Sequence, residues 1–313
     1  MSNLVPINFV NSFSSNVFHL SQQKGSRFAM HCRNEMQKGE KDFYDYIGPT
    51  AARRRAGRHS DTVYTDTSHG RRACFIDDFD WADLVDKPDK LRMIYDPENE
   101  YAVAARNAMG RSMDDVIIEA ALGTSYTGKD GTVPVVLPNT QKVVAFDGTT
   151  TTGVGLNVLT LRAVKKKFNK AEVDAGELFF AYTAEEQDSL LGQTQVTSSD
   201  YANVKALVQG AVDSFMGFRF IHSERLPRPA ANVTYTVTNG TIAAGTGTVT
   251  AAKGRRCFAW EKSGLLFAKA QDIVTKIDEL PGKNYSTQIF ASMTIGATRM
   301  EEVKVVEVVT SEL

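Results

Sequence analysis

Apolar residues are sparse and aperiodic from Met1 to Gln37. Val5, Ile7, Phe9, Val10, Phe13, Val17 and Phe18 stand in a polar background, and neither helical nor strand spacing is sustained. A polar terminus orders only when something ties it down, so this segment reads as an arm that orders against other chains. Lys41 to Ile76 reads as a long, loosely alternating β-hairpin. Tyr44, Tyr46 and Ile47 lead in, Val63, Tyr64 and Thr65 lead out, and Gly48-Pro49 and Gly57 punctuate the tip.

A long helix is predicted from Pro97. Asp96 can cap it, Pro97 suits the first helical position, and Glu98 and Glu100 suit the positive end of the dipole. Tyr101, Ala105, Ala108, Met109, Met113, Val116, Ile117, Ala120 and Ala121 mark its apolar face, and Gly123 can end it. Loops and short strands follow from Thr127 to Gly155. Asn157 to Ala171 is a second helix with Val158, Leu161, Val164 and Phe168 inward, and its lysines crowd the last turns. Leu178 to Tyr182 is a buried strand. Thr183-Ala184-Glu185-Glu186 has capping-box spacing and opens a short helix to Leu191. Tyr201 to Phe215 is a third helix, ended by Gly217 and followed by the strand Phe218-Arg219-Phe220-Ile221. Ala230 to Lys253 is a low-complexity Thr/Ala/Gly/Val stretch with a hairpin signal at Asn239-Gly240. Phe258–Trp260 and Leu265–Ala268 read as paired strands around Ser263-Gly264. Gln288–Thr294 and Val303–Val309 close the chain as strands. The fold class is α+β, with helices in the middle and antiparallel strands at both ends.

Composition narrows the classes. The chain has 313 residues, 42% of them hydrophobic and 23% charged, enough to bury a sizeable core. A net charge of −1 argues against a nucleic-acid binder or a solvating acidic protein as a whole-chain description. Three widely spaced cysteines, Cys32, Cys74 and Cys257, suit free thiols in a reducing compartment. No apolar run is long enough to span a membrane, and no secretory pattern opens the chain.

Motifs for nucleotide, nucleophile or metal chemistry are absent. His222-Ser223-Glu224 matches the H-x-E piece of zinc deaminases but lacks a P-C-x-x-C partner, and it reads better as a strand-end cluster with Arg219 and Arg225. Two charge runs remain. Arg53, Arg54, Arg55 and Arg58 form a lysine-free basic tip. Asp77, Asp78, Asp80, Asp83 and Asp86 form an acidic run without the Gly or Asn ligands of a calcium loop. The arginines could be a solvated loop tip or a nucleic-acid patch. On a third reading, the basic tip of one copy docks on an acidic surface of the next. Complementary charge sets register there, and arginine's planar, multi-donor head suits the task. The inter-subunit contact candidates are therefore Arg53, Arg54, Arg55, Arg58, Asp77, Asp78, Asp80 and Asp83. No catalytic, cofactor or metal residue is expected.

The most telling motifs are Asp96-Pro97-Glu98 leading to Gly110-Arg111-Ser112-Met113-Asp114-Asp115 and Ala121-Leu122-Gly123. With them goes Asp200-Tyr201-Ala202-Asn203-Val204 through Gly217-Phe218-Arg219-Phe220-Ile221-His222-Ser223-Glu224-Arg225-Leu226-Pro227. With the order of elements, they make the chain resemble the major capsid proteins of tailed bacteriophages (Caudovirales), of the Hong Kong 97-type fold and podovirus-like in signature. The resemblance implies an N-terminal arm (1–38) and an extended β-hairpin loop (39–78). It implies a peripheral domain (79–155 and 283–313) with a spine helix at 97–122, and an axial domain (156–282).

The implied function is structural: a major capsid subunit, not an enzyme, that self-assembles into hexamers and pentamers of an icosahedral shell around double-stranded DNA. Implied partners are other copies, a portal, a decoration protein and packaged DNA bound without sequence specificity, with no membrane and no cofactor. Localisation would be the virion, after assembly in the host cytoplasm. Some family members carry a cleaved N-terminal scaffolding segment. Here the arm starts almost at Met1, which implies a separate scaffolding protein. Some members crosslink through a loop lysine. The tip at 51–68 has none, so that chemistry is not expected there. The alternatives are an encapsulin-like nanocompartment shell protein and a basic-loop nucleic-acid-binding protein.

Overall fold

A computed structural model describes residues 21–55, 57–59, 61–86, 98–146, 154–173, 176–193, 214–238 and 241–312, with 98–99, 234–238 and 241–248 as backbone. The start of the arm, the Asp96-Pro97 helix start, the Asn239-Gly240 turn and most of the expected helix Tyr201–Phe215 lie outside these residues. The elements in chain order are β1 (Arg33–Met36), β2 (Lys41–Ile47), β3 (His69–Phe75), β4 (Asp77–Val85), α1 (Glu98–Leu122), β5 (Thr124–Thr127), β6 (Val133–Val136) and β7 (Lys142–Val144). Then come α2 (Val158–Lys170), β8 (Leu178–Tyr182), α3 (Ala184–Leu191), β9 (Ser214–Phe215), β10 (Phe218–His222), β11 (Val233–Thr238) and β12 (Thr241–Val249). The last four are β13 (Gly254–Glu261), β14 (Leu265–Leu280), β15 (Ser286–Arg299) and β16 (Val305–Ser311).

The chain divides into two compact units. The first takes the described residues of Met1–Ser26, Asp78–Ser112 and Gln271–Thr294. In it the distal parts of β14 and β15 lie side by side, and β4 forms the edge next to β15. The first part of α1 buries Ala105 and Met109.

The second unit takes Arg27–Asp77, Met113–Ala270 and Ile295–Leu313. Its main sheet has the order β7-β16-β13-β8-β10-β9. All five residues of β8, Leu-Phe-Phe-Ala-Tyr, are buried, as a strand covered on both faces requires. Side chains alternate between faces. Phe179, Phe258 and Trp260 stack on one face, with Phe179–Trp260 and Phe258–Trp260 ring centroids 5.5 and 4.8 Å apart. Phe180 and Phe218 meet Phe168 of α2 on the other, the Phe168–Phe218 and Phe180–Phe218 centroids both 6.1 Å apart. α2 turns Leu161, Val164 and Phe168 fully inward. Asn157 caps it by accepting from the Thr160 N–H at 2.7 Å. A second sheet, β2-β3-β5-β6, carries the hairpin.

Several expectations change. The sheets are mixed, not antiparallel: β1 runs parallel to β14, β10 to β8 and β16 to β7. β13 and β14 are not partners, because β13 lies between β16 and β8 while β14 lies between β1 and β15. Lys262–Gly264 form a 3₁₀ turn in which Glu261 accepts from the Ser263 N–H, and this turn sends the chain to a different sheet. The Thr183 capping box is not made. Thr183 offers no side-chain cap, and Glu224 accepts from the Ala184 N–H at 2.7 Å instead. Ser214–Phe215, expected to end a helix, is a short strand paired with β10. Gly217 sits at φ +83°, a left-handed turn conformation that suits glycine.

Candidate functional site

The hairpin forms, in register from Lys41↔Phe75 to Ile47↔His69, but its outgoing strand begins only at His69, and Val63, Tyr64 and Thr65, expected to lead out, lie in irregular chain before it. Its root is buried. Ala73 and Cys74 are 1% and 0% exposed, and the buried Arg72 guanidinium donates from Nε to the Met300 carbonyl at 3.0 Å and from Nη2 to Glu302. Further out the strands hold one another by charge and rings. Arg71 pairs with Asp45 at 2.7 Å, which holds the Asp45 carboxyl below its usual range. Arg71 and Lys41 both lie over the Phe43 ring, each 4.9 Å from its centroid. Beyond Gly48, whose N–H donates to Ser68, regular pairing stops.

All four tip arginines are exposed. Arg55 donates to the Arg58 carbonyl. Among the described residues none of the four enters an ion pair. Near the tip Ile47 is 67% exposed and Tyr64 90%. A loop with so much unpaired cation and bare apolar surface has no core of its own to bury it.

Asp77, Asp78, Asp80 and Asp83 of the acidic run lie on β4, an edge strand in the first unit apart from Asp77, and Asp86 follows its end. Phe79, Trp81 and Asp83 are half-buried on one face, and Asp78 and Asp80 are exposed on the other. Asp78 accepts from Thr294 Oγ1 at 2.6 Å and Asp86 accepts from Ser286 Oγ. Asp83 accepts from the Leu84 N–H. Among the described residues no group of acids, histidines or cysteines is arranged to hold a metal. Charge on an exposed edge also blocks unplanned strand pairing.

The Gly110–Asp115 motif receives the end of the arm. In the first unit, a Cβ on Gly110 would lie 2.5 Å from the Gly25 backbone, so only glycine permits this approach. Arg111 donates to Gln22 Oε1 at 2.8 Å. In the second unit, the Asp114 carboxylate accepts the backbone N–H groups of Arg27 (3.0 Å) and Phe28 (3.2 Å). Phe28 is fully buried 5.7 Å from Trp260 and 5.9 Å from Phe258, ring centre to ring centre. The Trp260 indole donates to the His31 carbonyl at 3.0 Å. Asp115 pairs with Arg225 through both carboxylate oxygens. Arg27 donates to His222 Nδ1 at 2.8 Å, which assigns the His222 proton to Nε2, 2.9 Å from Glu224. His222-Ser223-Glu224 is thus a structural strand-end cluster. The Arg225 guanidinium turns to α1, while its backbone N–H donates to Ser223 Oγ at 3.3 Å.

Sequence reasoning missed the buried polar groups. Asp114, 0% exposed, sits between the inward Met113 and Ile117, and an acid in that position was the available signal. Arg299, also 0% exposed, donates to the carbonyls of Ala121 and Gly123 at 3.0 Å and of Val135 at 3.1 Å, tying down the C-terminal end of α1. Nothing in the local sequence marks it. Glu186 is buried with Oε2 accepting from the Leu156 N–H at 2.5 Å, and burial pushes its pKa up to about 7. Burial also pushes the thiols of Cys32 and Cys74 up to about 12 and that of Cys257 well above its ordinary value, so all three free thiols are weak nucleophiles.

The chain matches the family model described as phage capsid protein over residues 5–312. Among solved structures it is similar to the capsid of the cyanophage P-SCSP1u, with 15% identity, a TM-score of 0.72, and 97% of this chain and 93% of that one covered. It is similar to the capsid of cyanophage Pam1 (14% identity, TM-score 0.70, 98% and 97% covered). It is also similar to the capsid of the Helicobacter pylori bacteriophage KHP30 (11% identity, TM-score 0.69, 100% and 98% covered). No curated protein matches significantly.

Proposed function

The chain belongs to the phage capsid protein family and has the Hong Kong 97-type fold, and from that premise we propose how it builds a shell. It is a major capsid subunit, a structural component of the virion. On our reading the copies form hexamers and pentamers of an icosahedral shell around double-stranded DNA. Assembly takes place in the host cytoplasm with a separate scaffolding protein, a portal and, where present, a decoration protein. Residues 1–38 act as an arm and 39–78 as an extended loop. Residues 79–155 with 283–313 act as the peripheral domain, and 156–282 as the axial domain.

The observation that carries this reading is the hairpin. Its root is locked by Arg72, Ala73 and Cys74, while its tip exposes Ile47, Tyr64 and four arginines with no ion pair among the described residues. Such a device gains buried area only on another chain. The exposed aspartates of β4 on a neighbouring copy suit the arginine forks. Electron microscopy of the chain co-expressed with its scaffold tests the reading: closed shells are expected. Small discrete oligomers under those conditions would sink it. Nuclease-protected DNA inside the shells, as opposed to protein cargo, separates a virion shell from a nanocompartment.

A further inference from the structure

A second basic surface lies away from the hairpin tip, on α2. Five cations occupy nine positions there: Arg162, Lys165, Lys166, Lys167 and Lys170, with no acid anywhere in the helix. They line two open grooves, one with Arg162, Lys165 and Lys166, the other with Lys166, Lys167, Lys170 and Lys142 from β7. The helix dipole accounts for lysines in the last turn, but Arg162, Lys165 and Lys166 precede it. Lys165 lies 5.6 Å from the Phe218 ring centroid and Lys167 donates to the Thr140 carbonyl. Among the described residues, Arg162, Lys166 and Lys170 are exposed and in no ion pair. Among the described residues, the acid ion-paired to this cluster is Glu307, 3.7 Å from Lys142, and it is already held by Arg256 at 2.5 Å. Burial and the neighbouring Lys170 both hold the Lys167 pKa below its ordinary value, as expected of crowded like charges.

We propose that this face of α2 binds the phosphate backbone of double-stranded DNA without reading its sequence. The helix is about 20 Å long, and a duplex carries one negative charge per about 1.7 Å of axis, so several phosphates come within reach of one helix. Lysines are point charges with rotatable donors, which suit phosphates at varied positions better than a fixed carboxylate. The assignment deepens the capsid reading by naming the surface that meets the packaged DNA, and it rests on that reading for the DNA's presence.

The test uses the full chain, kept unassembled at low concentration, with a 30-base-pair duplex as probe. The variant K166Q/K167Q/K170Q should bind at least about tenfold more weakly at low salt. Its slope of log affinity against log salt should be shallower by roughly 3, about one for each phosphate that is no longer neutralised. Two duplexes of unrelated sequence should behave alike, and thermal stability should hold. Unchanged affinity and slope would overturn the proposal. So would the same loss appearing in R53A/R54A/R55A and not in the lysine variant, or displacement of the duplex by polyglutamate of equal charge as readily as by unlabelled DNA. Microscopy of the lysine variant with scaffold keeps the two readings apart. Shells that form but protect less DNA support the inference, whereas loss of shells by the unsubstituted chain would count against the capsid reading alone.

Discussion

Two sets of arginines in this chain do opposite work. Arg299 and Arg72 lie in the core, 0% and 3% exposed, with carbonyls and Glu302 around them. Arg53, Arg54, Arg55 and Arg58 stand at the hairpin tip in solvent. The buried pair ties the end of α1 and the root of the hairpin to the closing strands of the same subunit. The tip arginines have donors left over. A buried charge left without its partner is costly, so core substitutions act on the fold. An exposed charge contributes little to one subunit, so tip substitutions act on what the subunit meets.

Arg299→Ala should produce the largest loss. The carbonyls of Ala121, Gly123 and Val135 would lose their donor, and destabilisation of about 3–5 kcal/mol is expected in denaturant unfolding. A loss below about 1 kcal/mol would mean that water replaces the guanidinium and the contrast is overstated. Phe28→Ala should cost a comparable or slightly smaller amount, about 3–4 kcal/mol, by emptying the place beside Phe258 and Trp260. Increased proteolytic cleavage near Arg27 would show that the arm's end has been released.

Glu186 gives a smaller, pH-dependent effect. Burial raises its native pKa to about 7 from 4.5. Between those values the native state holds a proton that the unfolded state has released, so stability falls as pH rises from about 4.5 to 7. The full span is on the order of 3 kcal/mol. Glu186→Gln should flatten that slope in thermal melts taken from pH 5 to pH 8, and an unchanged slope would assign it to other groups. R53A/R54A/R55A should have the smallest effect on the subunit, within about 0.5 kcal/mol, while shells counted by microscopy fall sharply. Normal shells of normal stability would remove the tip from the assembly interface.

The hairpin, α1, α2, β8 and the closing strands were legible because each declares itself locally. Alternation marks β2, a spaced apolar face marks α1 and α2, and a continuous apolar run marks β8, whereas β3 (His69–Phe75) carries no alternation of its own and is set by its pairing with β2. The charge runs were legible as runs; the arginines and most of the aspartates fall on exposed positions, while Asp83 is half-buried. The partnership of β13 was not legible, since which strands pair depends on where the Lys262–Gly264 turn sends the chain. Thr183 and Glu186 satisfied a capping rule at short range. They were overruled by Glu224 and Leu156, contacts spanning 40 and 30 residues.

By itself the sequence determined the class of protein: an α+β subunit with a polar arm, an Arg-tipped hairpin and a long helix, which together resemble phage capsid proteins. Those features follow from local periodicity and composition, which any short window of chain expresses. Only the tertiary structure decided that Asp114 holds the backbone of Arg27 and Phe28, that Arg299 ties down the end of α1, and that Glu186 titrates near neutrality. Each of these depends on polar groups far apart in sequence being buried together. The cost of burying a polar group or charge, and the contacts that offset it, exist only once the chain has folded.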